Sequence, residues 1–269
     1  MPRNRQAALA LAFAALAVAR GALASTPEAL SRIEQAKGVV AVDLGSNDIK
    51  LLQSRTMRRT AFTLGVQGGA HWRYQKIDRA LTRESAQLDQ IFNFAPLLLD
   101  NLRVLPPVIE SVRGAVRLNS DIAGSSIMTA YRIEAPARLV STPPSWRSYL
   151  IQDFPPLTRV SRLLLPRTRQ QKRVWKQAVR KGWAVGVGEA NAVFSSRLHE
   201  LQRDYLGILR FHALAIQKMV SVPVLATGDL GIKVNGKSLS IGQKVFRITW
   251  PAHFERPAHW RVVGVKSGR

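Results

Sequence analysis

Between Pro166 and Pro223 the chain runs for 56 residues without a proline. A stretch of that length permits a long helix, because nothing in it removes a backbone donor or clashes with the preceding turn. Its apolar positions fit one. From Ala190 onward they are Ala190, Phe194, Leu198, Leu201, Tyr205, Ile208, Ala215 and Met219, at the spacing of one helical face. His212 and Gln217 flank this stripe, and Arg197, Glu200, Gln202, Arg203, Arg210 and Lys218 carry the opposite face. A single apolar stripe has to lie against something. An earlier arm repeats Val174, Trp175, Ala178 and Val179 at helical spacing, and Thr168 with Gln171 forms a capping box at its start. The arms meet at Gly182, Gly186 and Gly188. Each glycine costs a helix interior about 1 kcal/mol relative to alanine. A kink, or a close approach by another backbone, is therefore expected there. The spacing is wrong for a dinucleotide-binding loop.

The rest of the chain suggests what covers this element. Thr26-Pro27-Glu28 reads as the start of a short helix that Gly38 ends. Residues 53–94 read as helical, interrupted by Gly65, Gly68 and Gly69, with Arg55, Arg58, Arg59, Arg73, Lys76, Arg79 and Arg83 crowding one region. Beyond Pro106-Pro107 the helical period fades, and short β-prone runs such as Ala115–Leu118 and Ile127–Ile133 predict two to four antiparallel strands. After Pro223, Asn235-Gly236 is a strong hairpin cue between strands at 231–234 and 237–241. Further strands are expected at 243–249 and 260–265.

These features define an α+β fold in which long amphipathic helices pack against a small antiparallel β-sheet. The expected organisation is a signal peptide at 1–24 and a single α+β domain at 25–269. Within that domain a helical part spans 25–107 and a β-rich insert 108–142. Long helices occupy 166–222 and a C-terminal β-meander 223–265, with the long helix covering the meander.

The signal peptide is read from Arg3 and Arg5, the apolar run Ala7–Ala19, and the small-x-small site Ala22-Leu23-Ala24 before Ser25. The run is shorter than the roughly 20 residues that span a bilayer. The formal net charge is +23 with no cysteine. Disulfides, zinc–thiolate sites and thiol nucleophiles are thus excluded. Such a charge suits a polyanion or an anionic surface, or simply a solvated basic exterior.

Few residues point to chemistry. The five histidines lack metal-ligand spacing, no Gly-x-Ser-x-Gly elbow occurs, and Glu189 has no partner carboxylate. No catalytic residue, cofactor or metal is expected, and the chain reads as a non-enzyme. Asp43-Leu44-Gly45-Ser46 after an apolar strand looks like the first phosphate loop of actin-like ATPases. The second Asp-Gly-Gly loop and the adenosine loop of that fold are missing, so the match is read as coincidence.

Six stretches, taken together, carry a resemblance. They are TLGVQGGAHWR (Thr63–Arg73), LDQIFNF (Leu88–Phe94), VLPPVI (Val104–Ile109), STPPSWRSYL (Ser141–Leu150), GWAVGVGEANAVF (Gly182–Phe194) and LQRDYLGILR (Leu201–Arg210). In this order they resemble the DotC/TraI family of IncI-type conjugation and Dot/Icm type IVB secretion, over roughly Arg55 to Thr249. The resemblance implies a non-enzymatic component of the outer-membrane core complex, located in the periplasm. It also implies a DotD-like lipoprotein and a DotH-like secretin-type subunit as partners. Family members are normally lipidated on a cysteine at the processing site. This chain has Ser25 there, so association with the outer membrane through partners is expected.

Two sets of interaction residues follow as expectations. Trp72, Trp146, Trp175 and Trp183 are candidates for protein contacts, since tryptophan is enriched at hot spots; packing in the monomer's own core is the competing role. Arg159, Arg162, Arg167, Arg169, Lys172, Arg173, Lys176, Arg180 and Lys181 lie in a stretch with no acidic residue from Phe154 to Gly188. They form a candidate patch for nucleic acid or anionic lipid, and a secreted polyanion binder is the alternative function.

Overall fold

The computed structural model describes residues 27–37, 47–101, 103–120, 123–155, 157–242 and 244–261. The expected signal peptide, Asp43 with its loop, and residues 262–265 of the expected last strand lie outside them. The architecture is α+β, with long helices and small two-stranded antiparallel sheets. The helices are α1 (Glu28–Glu34), α2 (Asn47–Arg83), α3 (Ser85–Ile91), α4 (Trp146–Leu150) and α5 (Arg169–Ile216). The strands are β1 (Val104–Leu105), β2 (Val108–Ser120), β3 (Ala123–Ala135), β4 (Arg138–Leu139), β5 (Val224–Asp229), β6 (Ile232–Asn235), β7 (Ser238–Ile241) and β8 (Lys244–Trp250). The chain forms two compact units. One contains residues up to 91 together with 149–198, the other 92–148 together with 199–269. Helix α5 contributes to both.

The first unit is organised by a crossing of α2 and α5. Both helices run unbroken through their glycines. The expected interruption of 53–94 is absent, and of the two expectations for the glycines of α5 the close backbone approach, not the kink, is what occurs at Gly182 and Gly186. A Cβ on Gly65 would lie 2.9 Å from Trp183 N and closer still to the Val179 carbonyl oxygen. One on Gly69 would come 3.0 Å from Trp183 Cα. From the other side, Gly182 faces the Phe62 carbonyl with Val66 N at 3.0 Å, and Gly186 faces the Val66 carbonyl with Ala70 N at 2.9 Å. Four glycines in two Gly-x-x-x-Gly pairs thus let two backbones touch. Leu30, Met57, Ala61, Leu64, Trp175, Ala178, Val179 and Trp183 close around the crossing as a core. Gly188 has nothing near its missing Cβ, so it takes no part.

The ends of the elements are explained locally. At the start of α5, Gln171 N donates to Thr168 Oγ1 and Thr168 N to Gln171 Oε1, both at 3.2 Å, so two otherwise unpaired donors are met reciprocally. At its end Lys218 takes φ +54. Met219 N donates to the Leu214 carbonyl (2.9 Å) and Lys218 N to that of Ala215 (3.0 Å), a Schellman motif with lysine where glycine is usual. Helix α1 begins at Glu28 with Pro27 in the capping position; the expected cap, Thr26, is not among the described residues.

In the second unit the α5 stripe packs on the base of the β2–β3 hairpin. Phe211, Leu214 and Val220 form a core with Ile109, with Leu99 and Ile133 at its margin. The Phe92 and Phe94 rings meet Tyr205 edge-on at 5.4 and 5.1 Å. Arg210 donates to the Ile109 carbonyl, and His212 Nε2 to that of Leu97 at 2.8 Å. The β-rich insert is one long hairpin of two 13-residue strands.

The C-terminal strands do not form the expected meander. They nest, with β6 pairing β7 inside and β5 pairing β8 outside. The inner turn consists of Gly236-Lys237 rather than Asn235-Gly236, because Asn235 pairs with Ser238 and Gly236 takes φ +40. Trp260 lies outside any strand. Nor does α5 cover this sheet, since its stripe is already spent on the base of the β2–β3 hairpin.

Gly65→Ala and Gly182→Ala will each destabilise the protein by about 1–3 kcal/mol or more, since the added methyl meets backbone that cannot rotate away. Gly188→Ala is expected to stabilise it by up to about 1 kcal/mol. Urea unfolding monitored by circular dichroism separates the two classes. A second expectation concerns Tyr74, whose hydroxyl donates to the Leu150 carbonyl at 3.3 Å. Burial, with Asp78 and Asp153 nearby, pushes its pKa from 10.0 up to about 12. Below pH 10 both folded and unfolded chains hold the proton. Above it the unfolded chain releases its proton first, so stability falls as pH rises from 10 towards 12. Melting temperatures of Tyr74→Phe and wild type should therefore converge as pH rises through that window.

Candidate interaction surfaces

Within the basic run Arg169, Lys172, Arg173, Lys176 and Arg180 recur at i, i+3, i+4, i+7 and i+11, one face of α5, and only Lys181 is turned about 100° from Arg180. Glu34 of α1, whose side chain is only 6% exposed, receives Arg180 Nε at 2.7 Å and Lys176 Nζ at 3.4 Å. Trp175, between them and the core, donates Nε1–H to the Ile33 carbonyl at 2.9 Å. Three residues in the middle of the run therefore hold α1 in place. Arg159, Arg162, Arg169, Lys172 and Arg173 are exposed, and Arg167 is half-buried beside the capping box. Lys181 lies on another face, in a groove with Arg55, Arg58 and Arg59 of α2.

The four nominated tryptophans go to the interior or its margin. Trp146, Trp175 and Trp183 are buried. Trp72 is half-buried, with its ring 5.6 Å from that of Trp183 and Lys76 Nζ 4.4 Å above it. Trp146 carries the Arg147 guanidinium 4.4 Å over its ring. In the isolated chain the three buried side chains take the competing role, packing in the monomer's own core. Bulky apolar groups at helical spacing are simply what a crossing between helices consumes.

The tryptophans at the surface are Trp250 and Trp260, 60% and 44% exposed. Trp250 stands opposite Val224 in the β5–β8 ladder, and Val224 is itself 54% exposed. Val222, Val245 and Phe254 are exposed in the same segment. Among the described residues β5 and β8 pair only with each other, so their outer edges carry no ladder. The C-terminal segment nevertheless has a fixed course. Ser221 N donates to the His253 carbonyl (2.9 Å), Glu255 N to that of Met219 (3.0 Å) and Arg261 N to that of Gln217 (2.8 Å). A signal for this surface was present in the sequence: alternating apolar residues in short strands with no spare amphipathic helix to cover them.

One cluster invites a chemical reading. Ser221 Oγ lies 2.8 Å from His253 Nδ1, and His253 Nε2 lies 3.4 Å from Glu255 Oε1. Ser221 Oγ also accepts the His253 backbone N–H at 2.9 Å. The hydroxyl thus serves to fasten the bridge between Val220 and Phe254. His259 Nδ1 takes the other Glu255 oxygen at 3.1 Å. Among the described residues no group of histidine, aspartate and glutamate is placed to hold a metal ion.

Residues 52–262 match the TraI family of the type IV secretory system, described as conjugal DNA-protein transfer. The chain belongs to this family. No curated protein matches it in sequence. Membership makes the chain a component of a type IV secretion or conjugal transfer system and implies other subunits of that apparatus as partners. The matched span includes the α2–α5 crossing, the β2–β3 hairpin and the exposed C-terminal strands. No helix among the described residues is long and apolar enough to cross a membrane.

Trp175→Ala is expected to cost about 3–5 kcal/mol, as for a buried aromatic in a packed core. Trp250→Ala should stay within about 0.5 kcal/mol of wild type. Equilibrium unfolding of the two variants checks the assignment of one to the interior and the other to the surface.

Proposed function

We propose that this chain is a non-enzymatic structural subunit of a type IVB secretion or conjugal transfer core complex. It acts in the periplasm, associated with the outer membrane through its partners. Those partners are a DotD-like lipoprotein and a DotH-like secretin-type subunit. The observation that carries the reading is the uncovered apolar surface of the C-terminal strands, centred on the Val224–Trp250 pair. Exposed aromatic and aliphatic side chains of this kind, beside unpaired strand edges, mark protein–protein contact sites. The family supplies the setting, since an apparatus subunit needs neighbours. The Ser221 hydroxyl, engaged by backbone, supports a structural rather than hydrolytic role for its cluster.

The test is a tagged pull-down from fractionated cells expressing the whole secretion locus, washed at low and high salt. The protein should fractionate with the outer membrane and retain lipoprotein and secretin-type subunits through the high-salt wash. Trp250→Ala should lose at least one of them while remaining folded. Elution of the protein alone in salt, or unchanged capture by Trp250→Ala, would count against the proposal.

A further inference from the structure

The groove in the first unit has a construction that its role in folding does not explain. On α2 it is lined by Arg55, Arg58, Arg59 and Phe62, and on α5 by Val174, Gln177, Ala178 and Lys181. Each set has the spacing i, i+3, i+4, i+7, so each is one face of its helix. The two faces enclose about 620 Å³ and bring four cations together without an acid among the lining residues. All four are exposed. None of them pairs with an acidic side chain among the described residues, in contrast to Lys176 and Arg180 on the adjoining face, which Glu34 neutralises. Like charges at i+3 and i+4 repel, so the isolated chain gains nothing from this arrangement. An anion between the helices would relieve it.

The lining narrows the choice of anion. Arginine forks match phosphate oxygens in bidentate geometry. Phe62 is 39% exposed and shares the groove with Val174 and Ala178, so the ligand should carry apolar surface next to its charge. A single-stranded nucleic acid needs successive aromatic platforms for its bases, and the groove offers one phenylalanine. A phospholipid presents phosphate and acyl chain side by side, at a surface that attracts clustered basic residues.

We propose that the groove between α2 and α5 binds the phosphate headgroups of anionic phospholipid at a membrane surface. This contact is made by the chain itself and does not depend on the partners named above.

The experiment is co-sedimentation of the full chain with vesicles of phosphatidylcholine containing phosphatidylglycerol, and with vesicles of phosphatidylcholine alone, at physiological salt. Binding should require the anionic lipid. The double variant Arg55→Gln/Arg59→Gln should weaken it roughly tenfold or more, at about fivefold per charge near such a surface. Arg79→Gln/Arg83→Gln removes the same charge roughly 30 Å further along the same helix, several Debye lengths from the groove, and should change binding by less than about threefold. Phe62→Ala should also weaken it, which a diffuse charge effect would not produce. Three results would overturn the proposal: equal losses in the two double variants, equal binding to both kinds of vesicle, or tighter binding of a single-stranded oligonucleotide through the same arginines. Lys181→Gln, on the opposite wall, is a single-charge probe that should lower vesicle binding with the fold intact.

Discussion

Two helix backbones in direct contact are the constraint on which the first unit depends. Side chains normally hold helix axes 8–10 Å apart. At Gly65, Gly69, Gly182 and Gly186 there is no Cβ to do so, and each glycine faces a carbonyl or amide of the opposite helix. Glycine is unfavourable inside a helix, yet here four of them occur where the helices cross. The close approach has consequences on both sides. Trp183 is drawn against Gly68 and Trp72, and Trp175 reaches the end of α1. Away from the core, the same crossing sets one face of α2 beside one face of α5 and so creates the basic groove.

Charge in this protein has to be read by face. A run of cations without a single acid is divided among different surroundings, by position along α5 and, for Lys181, by helical rotation. Lys176 and Arg180 meet a nearly buried carboxylate and become part of the packing of α1. Lys181, one residue further, faces the arginines of α2. The high net charge is therefore partly internal structure and partly open surface. Lys181 is set apart by its angle about the helix axis, whereas Lys176 and Arg180 differ from Arg169, Lys172 and Arg173 of the same face in lying beside Glu34.

The second unit is built on a different balance. Its core is compact and aromatic, with Phe92, Phe94, Tyr205 and Phe211 around the α5 stripe and the base of the β2–β3 hairpin. That core takes Leu201, Tyr205, Ile208, Phe211 and Leu214 from the helix, all buried. The C-terminal strands are then covered only in part, as where the Arg103 guanidinium lies 4.3 Å over the Phe246 ring. A two-stranded ribbon is marginal alone in water, and this one keeps Trp250 and Val224 exposed. A family of secretion-apparatus components is a setting in which such a surface has somewhere to go.

Much of this was legible in the sequence. The proline-free stretch, its apolar period and the Thr168–Gln171 box are local features, and local physics sufficed to read a long capped helix from them. The six ordered stretches sufficed for the family. The α+β class followed from the change of period after Pro107. What the tertiary structure decided was every question about a partner. Glycine says that a backbone approaches but not which one, so the unbroken α2 and α5 and their mutual contact became visible only in space. The nesting of β5 with β8 needed the knowledge that β6 and β7 pair first. The tryptophans divided between core and surface for the same reason. A side chain's type states what environment it favours, whereas its burial depends on residues far away in the chain that local pattern does not contain.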